Sequence, residues 1–229
     1  KKKTVCIFIT SDKCYKNLEK ISGYKENDEL GGEDPYSGSK ASAEIAINSY
    51  FKTYLKKTSH KIATARAGNV IGGGDWSEGR IIPDCMKSIF YQKKVKIRNL
   101  KSSRPWQHIF DLLNGYLILS AKIYENNKFN GSWNFGPNVN HVTVKEVITK
   151  LISILGINKR VFIKIDKTIK ETGLLSLKTH KSKSNLKWKT KLSLNQNLKI
   201  IAEWYLCYIN NKKNIEKLSK RQVESFFYD

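Results

Sequence analysis

Five apolar residues in succession, Val5 to Ile9, followed at once by Thr10-Ser11-Asp12-Lys13, constrain this chain more than any other stretch. A run of that length with no polar alternation reads as a strand buried on both faces, the kind found inside a parallel sheet. The fold class it predicts is α/β. Open α/β sheets place their ligands outside the carboxyl ends of the strands. Ser11, Asp12 and Lys13 stand at such an end and are candidate functional residues.

A second stretch, Asp34-Pro35-Tyr36-Ser37-Gly38-Ser39-Lys40, opens a helix. Tyr36 and Lys40 are one helical turn apart and share a face. An ammonium in that place favours the phenolate of a neighbouring tyrosine. A Tyr-x-x-x-Lys pair is by itself most often two neighbours on a helix. The order here adds weight: strand, hydroxyl and acid, loop, then the Tyr/Lys helix. A hydroxyl, a carboxyl and a Tyr/Lys couple together form a proton-transfer set.

The rest of the chain alternates in the same manner. Lys16 to Asp34 is polar and Gly-rich and reads as a connection across the mouth of the site. A helix is predicted from Tyr36 to Lys56, with Ala41, Ile45, Tyr50 or Phe51, and Tyr54 or Leu55 as its apolar stripe. Ile62–Ala67 reads as a buried strand, and Val95–Arg98 and Val161–Ile165 as shorter ones. Pro83 suits the first position of a helix running to Gln92. Further helices are expected over Asp111–Tyr124, Val144–Leu155 and Leu194–Tyr208, the second opened by a Thr143/Glu146 capping box. Trp133–Phe135 reads as another strand. Gly72-Gly73-Gly74 invites a phosphate-loop reading, but Asp75-Trp76-Ser77 follows and no Gly-Lys-Ser/Thr ends it, so a turn leaving the sheet is preferred.

Composition excludes more than it selects. Forty per cent hydrophobic residues over 229 positions describe a globular chain with a packed core. No apolar run has the length of a membrane span and no signal peptide precedes Thr4, so a cytoplasmic location away from membranes is expected. Cys6, Cys14, Cys85 and Cys207 are scattered without metal-ligand spacing, so no metal is expected. The net charge of +22 raises nucleic acid as a partner. The lysines are spread out, and no helix-turn-helix, zinc finger or aromatic RNA-binding signature accompanies them. The excess reads as a solvated surface.

The motif order resembles the extended short-chain dehydrogenase/reductase family of NAD-dependent epimerases and dehydratases. Ala65-Arg66-Ala67-Gly68-Asn69-Val70-Ile71-Gly72-Gly73-Gly74-Asp75-Trp76 and Arg104-Pro105-Trp106-Gln107-His108 are similar to its CDP-glucose 4,6-dehydratase branch. The resemblance runs from Thr4 to Trp204. It implies a Rossmann-type doubly wound parallel sheet with a smaller α/β substrate domain, NAD as cofactor and a nucleotide-sugar, CDP-glucose, as substrate. It implies roles for Tyr36 and Lys40 in taking the 4-hydroxyl proton, with Lys40 also holding the nicotinamide ribose. Asp12 then donates to the departing 6-hydroxyl, Ser11 bonds the sugar 4-oxygen, and Lys13, in its neutral form, removes the C5 proton. Ala67 joins Tyr36 and Lys40 at the cofactor, and Asn69, Arg80, Arg104 and His108 face sugar and diphosphate, His108 reading equally as a satisfied loop histidine. Lys178 and Lys187 depart from the Asp and Gly that the family favours there, which weakens the expected substrate contacts near the C-terminus.

No Gly-x-Gly-x-x-Gly turn precedes Val5. The resemblance therefore predicts a fragment lacking the first βαβ units of its Rossmann domain and impaired in isolation, paired as a homodimer or with the missing half. Residues 1–71, with 105–136 returning, are assigned to the NAD-binding domain and 72–229 mainly to the nucleotide-sugar domain. Alternatives are another sugar-nucleotide epimerase or dehydratase, and a non-catalytic remnant that binds anions or a partner.

Overall fold

Parallel strands set the frame. The computed structural model of the chain describes residues 3–91, 95–97, 99–137, 142–156, 163–165 and 174–228. Strand β1 (Val5–Ile9) ends in a short 3₁₀ turn over Asp12–Cys14. After an irregular stretch comes helix α1 (Pro35–Tyr50), continued by one π turn over Phe51–Leu55. Asp34 caps α1 by accepting from the Ser37 amide at 3.0 Å, and Pro35 occupies the first turn, where no amide is needed. Strand β2 (Lys61–Ala67) is buried throughout. Then follow β3 (Val70–Ile71), α2 (Ile81–Tyr91), β4 (Val95–Ile97), β5 (Ser103–Arg104), β6 (Gln107–His108) and α3 (Ile109–Glu125). The order closes with β7 (Gly131–Phe135), β8 (Val142–Thr143), α4 (Val144–Ile154), β9 (Ile163–Ile165), α5 (His180–Asn185), α6 (Leu194–Asn210) and α7 (Ile215–Tyr228).

The main sheet runs β1-β2-β7, all parallel, with Ile9 opposite Ala65 and Ala67 opposite Phe135. Strand residues alternate between faces. Ala63, Ala65 and Ala67 pack with Leu112, Leu119 and Ile123 of α3. Thr64 and Arg66, on the other face, bond Glu44 of α1. Helices α1 and α3 therefore cover opposite faces, as the α/β reading requires.

A second core lies under α2, α4 and α6, where Met86, Leu151, Ile201 and Tyr205 are fully enclosed. The Thr143/Glu146 capping box is present on α4, and Ser193/Gln196 form another on α6. Segment 174–190 returns to the sheet side: Leu186 and Trp188 join the α3 core.

Four expectations are corrected here. Strand β1 is parallel but not buried on both faces: it stands at the edge of the β1-β2-β7 sheet, with Val5 to Ile7 half-buried and Phe8 and Ile9 exposed. The apolar stripe of α1 points inward only in part: Ala41 is buried and Phe51 and Leu55 are half-buried, whereas Ile45, Tyr50 and Tyr54 are exposed and Ser37 and Glu44 complete the buried face. Small and polar side chains fit that face because Arg66 beneath it supplies a countercharge. The Lys16–Asp34 stretch does not cross the cleft. It is tied back by pairing of Tyr15 with Leu30 and of Tyr24 with Leu177, with Tyr15 and Tyr24 stacked at 5.1 Å. Helix α2 starts at Ile81, so Pro83 is its third residue, still within the turn whose amides have no intrahelical partner. The expected ends at Gln92, Arg98 and Val161 lie outside the described residues.

Candidate functional site

An open cleft of about 810 Å³ lies between the carboxyl ends of β1 and β2 and the second core. Ser11, Asp12, Lys13, Tyr36, Ala67, Asn69, Arg80 and Arg104 all line it. Two strand ends and the first turn of α1 thus bring Ser11, Asp12, Lys13 and Tyr36 to one cavity. Lys40 and His108 are not part of the lining. Lys40 Nζ lies 5.7 Å from the Tyr36 ring centroid, and the ring is half-exposed.

Asp12 is the buried carboxyl among the candidate residues of this cleft. It is 4 % exposed, and Ser11 Oγ donates to its Oδ1 at 3.0 Å. Its Oδ2 is buried without a hydrogen-bond partner among the described residues. Burial raises its pKa from 3.8 to about 6, against the opposing pull of the Ser11 hydroxyl, Lys13 and Arg104. A carboxyl in this state holds its proton up to about pH 6, well above an ordinary aspartate, and can give it up.

His108 is 1 % exposed and caps α3, its Nδ1 accepting from the Phe110 amide at 3.2 Å. Burial lowers its pKa from 6.5 to about 4, which keeps the imidazole neutral. It stands behind the cleft wall, beside Gln107, whose amide bonds Asn69 O at 3.0 Å.

Opposite the strands, Glu78, Gly79 and Arg80 lead into α2, whose first turn opens on the cleft. A helix N-terminus and a guanidinium suit an anion. Arg80 Nη1 rests 3.4 Å from Asp75 Oδ2 at the rim. The Gly72-Gly73-Gly74 run is no phosphate cradle: a Cβ on Gly73 would overlap the Trp204 indole. Tyr205 Oη donates to the Asp75 carbonyl, so α6 pins this loop on the cleft edge.

Sequence reasoning missed Glu44, Arg66, Asp75 and Tyr116. Glu44 and Arg66 form a buried bidentate pair behind Tyr36 and Ser11. The signal was available in the four-residue spacing of Tyr36, Lys40 and Glu44. Tyr116, on the cleft floor, has a buried hydroxyl with no partner among the described residues, and nothing local in the sequence marks it.

A sequence model described as GDP-mannose 4,6 dehydratase matches residues 1–201. The chain is 36% identical over 225 residues to a CDP-glucose 4,6-dehydratase of Salmonella typhimurium, covering 95% of this chain and 62% of that protein. It is 24% identical over 215 residues to the human dTDP-D-glucose 4,6-dehydratase, covering 92% and 59%. The chain thus spans less than two thirds of the length of either relative. Among solved structures it is similar to a Bacillus anthracis dTDP-glucose 4,6-dehydratase in complex with NAD. The TM-score there is 0.75 and the identity 24%, covering 93% of this chain and 64% of that one. A UDP-glucuronic acid 4-epimerase from Bacillus cereus matches with a TM-score of 0.75 and 19% identity, covering 88% and 61%. These likenesses show the Rossmann-type fold.

Proposed function

This chain belongs to the GDP-mannose 4,6-dehydratase family, and from that premise we propose that the polypeptide carrying it dehydrates a nucleotide-linked hexose, CDP-glucose first. The observation that carries the reading is Asp12: a buried carboxyl that keeps its proton to about pH 6, with one oxygen unpartnered, in the cleft that Tyr36 and Lys13 share. An epimerase has no use for an acid at the 6-hydroxyl, whereas a 4,6-dehydratase needs one. The fold, common to dehydratases and epimerases, does not decide between them.

Tyr36 removes the proton of the 4-hydroxyl, with Lys40 one turn along the same helix beside its ring. Lys13 takes the C5 proton once C4 is a ketone, since the carbonyl makes that proton acidic. Asp12 donates its proton to the departing 6-hydroxyl, which leaves as water. Ser11 bonds the sugar 4-oxygen and, through its donation to Asp12 Oδ1, sets the carboxyl's orientation. Arg80, Arg104 and Asn69 receive sugar and diphosphate in the cleft that the first turn of α2 also lines. His108 acts from behind, fixing the start of α3.

Ile9, Ala67 and Leu112 give the floor by the strand ends an apolar surface suited to a nicotinamide ring, with Tyr36 at its edge. NAD, when bound, supplies the oxidation at C4 and the later reduction at C6. Residues 1–71 with 105–136 serve that cofactor side, and most of the remainder the nucleotide-sugar side. The test is incubation of the full polypeptide with NAD and CDP-glucose or dTDP-glucose, followed by NMR of the sugar. A 4-keto-6-deoxy product from CDP-glucose is expected; a C4 epimer with its 6-hydroxyl intact contradicts the reading.

A further inference from the structure

Glu44 lies one turn beyond Lys40 on α1 and is 2 % exposed. Its carboxylate accepts from Arg66 Nε at 2.9 Å and Nη2 at 2.7 Å, and from the hydroxyls of Thr10 at 2.5 Å, Thr64 at 2.8 Å and Ser132 at 3.3 Å. Burial opposes its ionisation, but Arg66 and the hydroxyl donors outweigh burial and hold its pKa below the ordinary 4.5. Arg66 in turn donates to Tyr15 Oη at 2.8 Å, and Tyr15 to Asn134 Oδ1 at 2.7 Å. The network joins β2, β7, the residue that follows β1 and the helix above them.

Stability alone would be served by the Arg66 pair. The Thr10 bond does something else. Thr10 is the residue before Ser11 and Asp12, so the helix that carries Tyr36 and Lys40 is fastened to the segment that carries the acid. Tyr36 and Glu44 are two turns apart on one helix, a stiff arm. Misplacing reacting groups by about 1 Å costs on the order of a hundredfold in rate.

We propose that Glu44 is a positioning residue of this cleft, holding Tyr36 and Lys40 of α1 in register with Ser11 and Asp12 through its bond to Thr10. The proposal rests on Tyr36 and Asp12 being the reacting groups, but its test needs no turnover.

Two variants each remove one hydroxyl donor to Glu44: Thr10→Val at the strand end and Thr64→Val in the middle of β2. Asp12 is titrated in each by ¹³C NMR of its carboxyl, at a temperature where both are folded. The groups facing Asp12 are the Ser11 hydroxyl, Lys13, Arg104 and the Cys14 thiol, and neither variant changes them. In Thr10→Val the strand end loosens and water reaches the carboxyl, so the midpoint falls by about one pH unit. Thr64→Val leaves it at the parent value, and Glu44→Gln shifts it in the same direction as Thr10→Val. Equal midpoints in the two threonine variants, moved or unmoved, overturn the proposal, because Glu44 then only stabilises the fold. A polypeptide inert toward CDP-glucose would count against the proposed function and leave this comparison intact.

Discussion

A Cβ placed on Gly68 would lie 3.1 Å from Asp12 Oδ2 and would overlap the Pro105 ring. Gly68 is glycine for space, since its φ is not positive. The missing side chain is what lets the acid fold back against the turn after β2. Gly68→Ala should cost about 1–3 kcal/mol through overpacking. It should also displace the Asp12 carboxyl, which is read by its NMR titration and by thermal melting.

Asp12 itself is costly to the fold. Its folded-state pKa of about 6 stands above the ordinary 3.8, so the native state binds the proton more tightly than the unfolded chain. The resulting stabilisation is fully present below pH 3.8 and is lost as pH rises through 6. Asp12→Asn should therefore stabilise the protein by up to about 3 kcal/mol at pH 7 and by little at pH 4, while abolishing dehydration. Urea unfolding of parent and variant at the two pH values checks this.

His108 acts with the opposite sign. Its pKa is depressed from 6.5 to about 4, so its contribution is present above pH 6.5 and is lost as pH falls toward 4. Asn at this position keeps an oxygen for the Phe110 amide. Relative to the parent, His108→Asn should gain up to about 3 kcal/mol between pH 7 and pH 4, measured by the same unfolding series. Between pH 4 and 6 the slopes of Asp12 and His108 oppose each other, and each single variant exposes the other.

Lys187 is exposed and holds a φ of 56°, in the left-handed region. Resemblance to the family leads one to expect glycine here, and the backbone gives the reason. Lys187→Gly should raise stability by about 0.5–1 kcal/mol, visible as a higher melting temperature with no change in ligand binding.

Local patterns were legible in the sequence. Val5–Ile9 is a parallel strand, Ser11 to Lys13 sit at its carboxyl end, and Tyr36 starts a helix that brings it to the same cleft. Relations between distant segments were not. Glu44 and Arg66 are charged residues whose default place is the surface, and only the sheet crossover brings them together. That pair makes part of the inward face of α1 polar, and Ile45 and Tyr54 of the expected stripe stand in solvent. The Gly72–Gly74 run looks like a loose turn until Trp204, far along the chain, is seen lying against Gly73. His108 was a substrate contact only by resemblance, and of its two readings the satisfied histidine is the one that fits the structure. Its place immediately before Ile109-Phe110-Asp111 was the sign of a helix cap.

The most direct measurement uses CDP-glucose deuterated at C4, incubated with the full polypeptide and NAD, with the label located by NMR. A Tyr36/Asp12 dehydration carries the deuterium from C4 to the C6 methyl of a 4-keto-6-deoxy sugar. Deuterium retained at C4, in a hexose that keeps its 6-hydroxyl, would contradict it.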